Sequence, residues 1–220
     1  MPLHNIENGV CTCKPSKHRP KAGAECLTPG KHPRIKTGRA FEAATTDAVQ
    51  IRRWWSKWPR ANIGIATGAQ SRVTVVDVDG EKGAAVLAAL AAANGGMPIT
   101  LMSRSGRDGI GAHFWFDNGG EPTPSNSGLG LDIRGDGGNL VAPPSMHITG
   151  RSYAWLNPET PLAPMPAWLL HWFNNRPDDE TRKSPREVAP APRLVMPAHL
   201  QGSSGAALLR RPETVEAVPI

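Results

Sequence analysis

Arg72-Val-Thr-Val-Val-Asp-Val-Asp-Gly80 decides how this chain is read. The β-branched run from Val73 to Val78 predicts a buried strand, and Gly80 ends it. Side chains two apart on a strand share a face, so Asp77 and Asp79 stand side by side with Cα atoms roughly 6.6 Å apart. Carboxylates placed like this repel each other unless protons or cations neutralise them. Hard oxygen ligands suit Mg2+ or Mn2+, which makes a divalent metal the expected neutraliser. The competing reading is a polar strand end running into a turn.

Working outward, Thr46-Asp47 is an N-cap signature for a helix through Ala48 to Trp58, stopped by Pro59. Ile51, Trp54, Trp55 and Trp58 fall on one face of it, predicted as core, while Arg52, Arg53 and Lys57 lie off that stripe. Asn62 to Gly68 reads as a short strand, Gly83 to Ala93 as a helix ended by Asn94-Gly95-Gly96, and Thr100 to Arg104 as a strand. A Gly-rich loop from Ser105 to Gly111 leads into the strand Ala112 to Phe116, with His113 and Trp115 on one face and Phe114 and Phe116 on the other. Leu131 to Arg134 and Asn139 to Ala142 are strand-like, Pro143-Pro144 breaks the latter, and Pro166 to Phe173 reads as a closing helix. Residues 1–40 look irregular. Beyond Arg176 the composition turns to Asp, Glu, Arg, Ser and Pro, so residues 176–220 read as a flexible tail with at most a short helix at 205–217.

The expected organisation is therefore one α/β (α+β) catalytic domain over residues 1–175, with a distinct segment at 10–40. No apolar run approaches the ~20 residues of a membrane span and no signal-peptide pattern opens the chain. Three cysteines, an odd number, argue against a disulfide framework and for a reducing, cytoplasmic setting. The net charge of +6 is uneven: residues 1–60 carry +8, residues 61–175 carry −3 and the remainder +1. A basic front beside an acidic middle suits a polyanion guided towards bound metal.

Asp77, Asp79, His113 and Asp132 all lie at or near strand ends. On spacing alone, three carboxylates and a histidine serve hydrolysis, phosphoryl transfer or metal storage equally well. The Ser105 to Gly111 loop can wrap backbone amides around phosphate. Arg134 shares a face with Asp132 on a regular strand and can reach an anionic or aromatic substrate part.

The ordered set Gly30-Lys-His-Pro33, Thr45-Thr-Asp47, the Trp-rich helix, Asn62-Ile-Gly-Ile-Ala-Thr-Gly68, Val76-Asp-Val-Asp-Gly80, Gly111-Ala-His113, Leu131-Asp-Ile-Arg-Gly-Asp-Gly-Gly138 and Ala142-Pro-Pro-Ser145 resembles the bifunctional DNA primase/polymerase domain of the archaeo-eukaryotic primase superfamily. The resemblance spans roughly residues 10–170. It implies an RRM-like palm packed on a second α/β layer. It also implies a nucleotidyltransferase of phage, plasmid or integrated-element replication, acting on single-stranded DNA template with dNTPs or NTPs, alongside a helicase in trans. Carried over by position, Asp77 and Asp79 match the first acidic motif, His113 the histidine motif that binds or protonates the triphosphate, and Asp132 the third acidic motif. Arg134, Ser105, Ser145 and His147 are further nucleotide-contact candidates. One departure stands out. Many superfamily members carry a small hydroxyl residue two positions before the histidine, where this chain has Gly111; Ser103, Ser105 or a backbone amide would have to replace it.

Cys11, Cys13, Cys26 and His32 supply three thiolates and an imidazole, the set a tetrahedral structural Zn2+ takes. His18 is the alternative fourth ligand. The resembled family often shows a similar Cys-x-Cys…Cys…His run. Such a knuckle could present Lys14, Lys17, Arg19 and Lys21 to a template strand.

Two other functions compete. A haloacid-dehalogenase-like phosphatase also begins Asp-x-Asp-Gly at a strand end and would use Asp77 as nucleophile. It expects Thr or Val where Glu81 stands, and its motif opens a Rossmannoid domain. A non-catalytic nucleic-acid-binding module is the third reading, against which the intact Asp set speaks.

Overall fold

The computed structural model describes residues 1–14, 25–35, 40–107 and 109–175; the expectations for His18, Lys17, Arg19, Lys21 and the 176–220 tail lie outside them. Where the front of the sequence looks irregular, three short strands form: β1 (Pro2–Leu3), β2 (Ile6–Glu7) and β3 (Val10–Cys11). Asn8 and Gly9, both at positive φ, make the tight turn that joins β2 to β3.

Helix α1 (Ala48–Lys57) starts where expected, with the Asp47 carboxylate accepting from the Val49 amide at 2.9 Å. Its aromatic stripe is a correction to the reading as core. Ile51, Trp54, Trp55 and Trp58 are all only half-buried, although Trp54 packs against Leu3, Val141 and Tyr153. The helix lies at the rim, so its apolar face is only partly covered.

Next come β4 (Asn62–Ala66), β5 (Val73–Asp79) and α2 (Gly80–Ala93), the last starting three residues before the expected Gly83. Gly80 sits at φ +70°, which lets strand turn directly into helix. The chain continues with β6 (Met102–Arg104), β7 (Gly111–Asp117), β8 (Leu131–Arg134), β9 (Asn139–Ala142), β10 (Ala154–Trp155), β11 (Ala163–Pro164) and α3 (Ala167–Asn174).

Apart from the β2–β3 hairpin, the strands of the described residues fall in two sheets. The larger runs β10-β6-β7-β5-β8, with β11 pairing in parallel with the end of β7 that lies beyond β6; the smaller runs β1-β4-β9. Consecutive strands β4 and β5 therefore belong to different layers. Along β5 the side chains alternate between two surroundings, as a period of two requires. Val76 and Val78 join Leu87 of α2, Phe114, Phe116, Ile133, Leu169 and Phe173 in the main core. Val75 and Trp115 face the other way, against Leu140 and Ala142 of β9 and the half-buried Ile63 and Ile65 of β4. The mixed architecture is compatible with the α+β class. Asp77 and Asp79 lie on the Val75 face, where the smaller sheet covers one end of the strand and leaves the other open.

Candidate active site

Strand register brings the predicted residues together. On β5, Asp77 stands opposite Asp132 of β8 on one side and His113 of β7 on the other; His113 in turn stands opposite Ser103 of β6. Asp132, Asp77, His113 and Ser103 thus form one row across four antiparallel strands, all on the same face. Asp79 begins the next row. Oxygens of Asp77, Asp79 and Asp132 lie within 4.8 Å of one another, although Asp132 is far from the other two in sequence. Both neighbours of β5 are antiparallel, which sets aside the phosphatase reading, since a Rossmannoid core places that strand in a parallel sheet.

Cations close onto the carboxylates. Arg134 reaches Asp132 at 2.8 Å and Asp77 at 3.8 Å, and Arg107 reaches Asp79 at 3.1 Å. Asp132 also accepts from the Gly128 amide at 2.9 Å. Burial, and then the Asp79 charge, lift the Asp77 carboxyl to about 7 against the pull of Arg134. A buried acid held this far from its ordinary range is a group still short of positive charge. Three hard carboxylates converging on one point fit a divalent cation.

His113 is buried, and desolvation followed by the nearby Lys31, Arg107 and Arg134 charges pushes its ring down to about 3. It is neutral at physiological pH, with one N–H to give. Trp115 Nε1 donates to Ser103 Oγ at 2.9 Å, Ser103 Oγ lies 3.1 Å from His113 Nδ1, and His113 Nε2 lies 3.4 Å from Asp77. An ionised Asp77 carboxylate can only accept, so beside it the ring hydrogen sits on Nε2, and the Ser103 hydroxyl, which accepts from the indole, donates its own proton to Nδ1. Tyr153 stacks on the same ring with centroids 6.0 Å apart.

A cavity of about 240 Å³ opens beside this row, lined by Thr28, Lys31, Asp77, Asp79, Ser105, Arg107, His113, Arg134, Asn139 and Tyr153 among others. Ser105 Oγ is buried there with no hydrogen-bond partner among the described residues. The Gly-rich loop closes through the Ser105 amide donating to the Gly111 carbonyl at 2.9 Å, and it delivers Arg107 to the cavity. Two candidates lie elsewhere. Ser145 Oγ accepts from the Ile63 amide at 2.8 Å and lines a separate cavity with Asn5, Glu7, Trp55 and Arg60. His147 is buried, its Nδ1 occupied by Thr149 at 3.1 Å, and it stands edge-on behind Tyr153. Sequence reasoning passed over Lys31, Arg107 and Tyr153 as site residues, and named Ser103 as a stand-in for the hydroxyl missing at Gly111 and not as a partner of His113. Arg107 within the Gly-rich loop was the available signal for one of them; Tyr153, the only tyrosine, carried none.

The second cluster is also assembled. One ligand atom from each of Cys11, Cys13, Cys26 and His32 lies within 4.8 Å of the others, with His32 Nε2 at 3.6 Å from Cys11 Sγ and 3.4 Å from Cys26 Sγ. A tetrahedral zinc bound about 2.3 Å from sulfur and about 2.0 Å from nitrogen sets such edges near 3.5 Å, so the donors present fit that ion. Burial raises both Cys11 and Cys13. At Cys11 hydrogen bonds from His32 and the Gly30 amide outweigh it and bring the thiol down to about 6, whereas at Cys13 neighbouring sulfurs add to it and push the thiol up to about 12. No helix among the described residues is long and apolar enough to cross a membrane.

No curated protein matches the chain in a sequence search. Among protein families, the one described as bifunctional DNA primase/polymerase, N-terminal, matches residues 10–168, a stretch that holds both clusters and every strand of the larger sheet. A match over that much of 220 residues, carrying the carboxylate row and the cysteine front together, places the chain in the bifunctional DNA primase/polymerase family.

Proposed function

We propose that this protein is a metal-dependent nucleotidyltransferase that builds DNA or RNA from dNTPs or NTPs on a single-stranded DNA template. Its setting would be replication of a phage, plasmid or integrated element, with a replicative helicase acting in trans. The observation that carries the reading is the convergence of Asp132 with Asp77 and Asp79 beside a cavity lined by three cationic side chains.

Chain growth is an in-line attack of a 3′-hydroxyl on the α-phosphate, with negative charge growing on the attacking and leaving oxygens. Mg2+ or Mn2+ ions, when bound, would supply positive charge to both oxygens. Asp77, Asp79 and Asp132 are the residues that would hold them. Arg107 and Arg134 present planar guanidinium forks that match phosphate oxygens, and ion binding at the carboxylates would free them for that role. His113, held neutral by burial, serves as a hydrogen-bond donor rather than as an acid. In this reading Ser105 offers its unpartnered hydroxyl to the same phosphates. Cys11, Cys13, Cys26 and His32 would hold a structural zinc.

The test supplies labelled dNTPs or NTPs to purified protein on single-stranded template, with and without primer. Wild type extends chains and Asp77→Ala and Asp132→Ala do not. Equal yield from Asp77→Ala would assign the activity to a contaminant, and no yield from any form under Mg2+ or Mn2+ would leave a binding module instead.

A further inference from the structure

The zinc-type cluster and the carboxylate cavity are joined by one residue. Lys31 directly precedes the ligand His32, yet its side chain lines the cavity with Asp77, Asp79, Arg107 and Arg134. The backbone around it is pinned from two sides. The Gly30 amide donates to Cys11 Sγ at 3.4 Å, and the Gly30 carbonyl accepts from Asn62 Nδ2 at 3.0 Å. Asn62 is itself locked to the Met146 backbone by two bonds of 2.9 Å, through its amide nitrogen and its oxygen. Gly30 lies at φ +73°, and a Cβ there would press within 2.9 Å of Asn62 Nδ2, so the turn admits little else. Arg107 and Arg134 are committed to carboxylates, but Lys31 makes no salt bridge among the described residues. Asp77 and Asp79 act on Lys31 only across the cavity, and a half-buried ammonium with no carboxylate in direct contact among the described residues is stabilised further by an anion entering that cavity.

We infer that Lys31 binds the phosphates of the incoming nucleotide, and that the Cys11, Cys13, Cys26 and His32 cluster is the clamp that holds it over the carboxylates. This rests on the nucleotide reading of the cavity. The front of the chain is then part of the catalytic centre's wall, and zinc occupancy sets nucleotide affinity.

The experiment measures binding of a fluorescent dATP analogue by anisotropy, with Ca2+ in place of the catalytic ion, together with zinc content by elemental analysis. Lys31→Ala is expected to weaken binding about tenfold with zinc content unchanged, and Lys31→Arg to stay within about threefold of wild type. Removing zinc from wild type is expected to weaken binding by a similar factor, and removing it from Lys31→Ala to add little. Gly30→Ala keeps all four ligands but strains the turn. It tests the clamp even if the stripped protein melts, and binding should fall at least threefold with zinc retained. Wild-type binding unchanged by Lys31→Ala overturns the role of Lys31. Independent, multiplying losses from zinc removal and Lys31→Ala, unchanged binding in Gly30→Ala, or wild type purified without zinc overturns the clamp. Failure of wild type itself to bind the analogue overturns the nucleotide reading, an outcome distinct from the others.

Discussion

The Ser105 hydroxyl occupies the space that a side chain on Gly111 would fill. The two residues close the same β6–β7 loop, and Gly111 stands opposite Asp79 across the sheet. A hydroxyl thus stands at position 105 in the place of a side chain at 111, with no hydrogen-bond partner among the described residues. Ser105→Ala should raise the nucleotide KM roughly five- to tenfold, about 1–1.4 kcal/mol, with little change in kcat. Gly111→Ser alone should be worse than wild type, because its Cβ meets Ser105 Oγ. Ser105→Gly combined with Gly111→Ser should regain most of the loss in steady-state kinetics. A neutral Ser105→Ala would remove the hydroxyl from the reaction.

Asp77 makes stability depend on pH in a defined direction. Its folded-state value near 7 lies above the ordinary 3.8, so between those values the native state binds more protons than the unfolded one. The stability this confers is complete below pH 4 and is lost as pH rises through 7, an effect on the order of 4 kcal/mol before relaxation. In protein dialysed free of Mg2+ and Mn2+, the wild-type melting temperature should fall from pH 5 to pH 8, and that of Asp77→Asn should fall less. Restoring Mn2+ at pH 8 should recover the wild type. Identical slopes in both proteins would show that the carboxyl is not strained.

Gly83 presses on the backbone of Gly130, the residue before β8. In a free helix Gly→Ala gains about 1 kcal/mol. Here an added methyl has no room, since the obstruction is a carbonyl that other bonds hold: Gly130 O also accepts from the Asp79 amide at 2.7 Å. Gly83→Ala should therefore destabilise by about 1–3 kcal/mol in urea melts and weaken Mn2+ binding by moving Asp132. A stabilised variant would refute this packing.

Ser103 is fully buried between Trp115 and His113. Ser103→Ala leaves an indole N–H and an imidazole nitrogen without partners and should cost about 1–3 kcal/mol. Freed of its tautomer constraint, His113 should also show a changed NMR pattern of ring nitrogen shifts. An unchanged ring spectrum would mean that the serine does not set the tautomer.

The carboxylate site was readable because its signals are local: a β-branched run fixes which face Asp77 and Asp79 share, and strand alternation places His113 beside Trp115. Pairing Asp132 with Asp77 needed the family resemblance, since register between distant strands is a tertiary property. The half-buried Trp stripe shows the limit of periodicity, which finds an apolar face but says nothing of how much of another layer covers it. Ser145 and His147 carry chemistry suited to phosphate, yet the Ile63 amide and Thr149 engage them. Lys31 and Arg107 leave from loops, where no repeat tells which way a long side chain goes.

Because Asp132, Asp77, His113 and Ser103 meet through strand register, the centre is intolerant of changes in chain length inside β5, β7 or β8. Adding or deleting one residue in β8 would put Leu131 or Ile133 opposite Asp77 and drive Asp132 towards the oily side of the sheet. Related sequences should therefore vary in length within the 118–130 connection and keep these strand segments free of gaps.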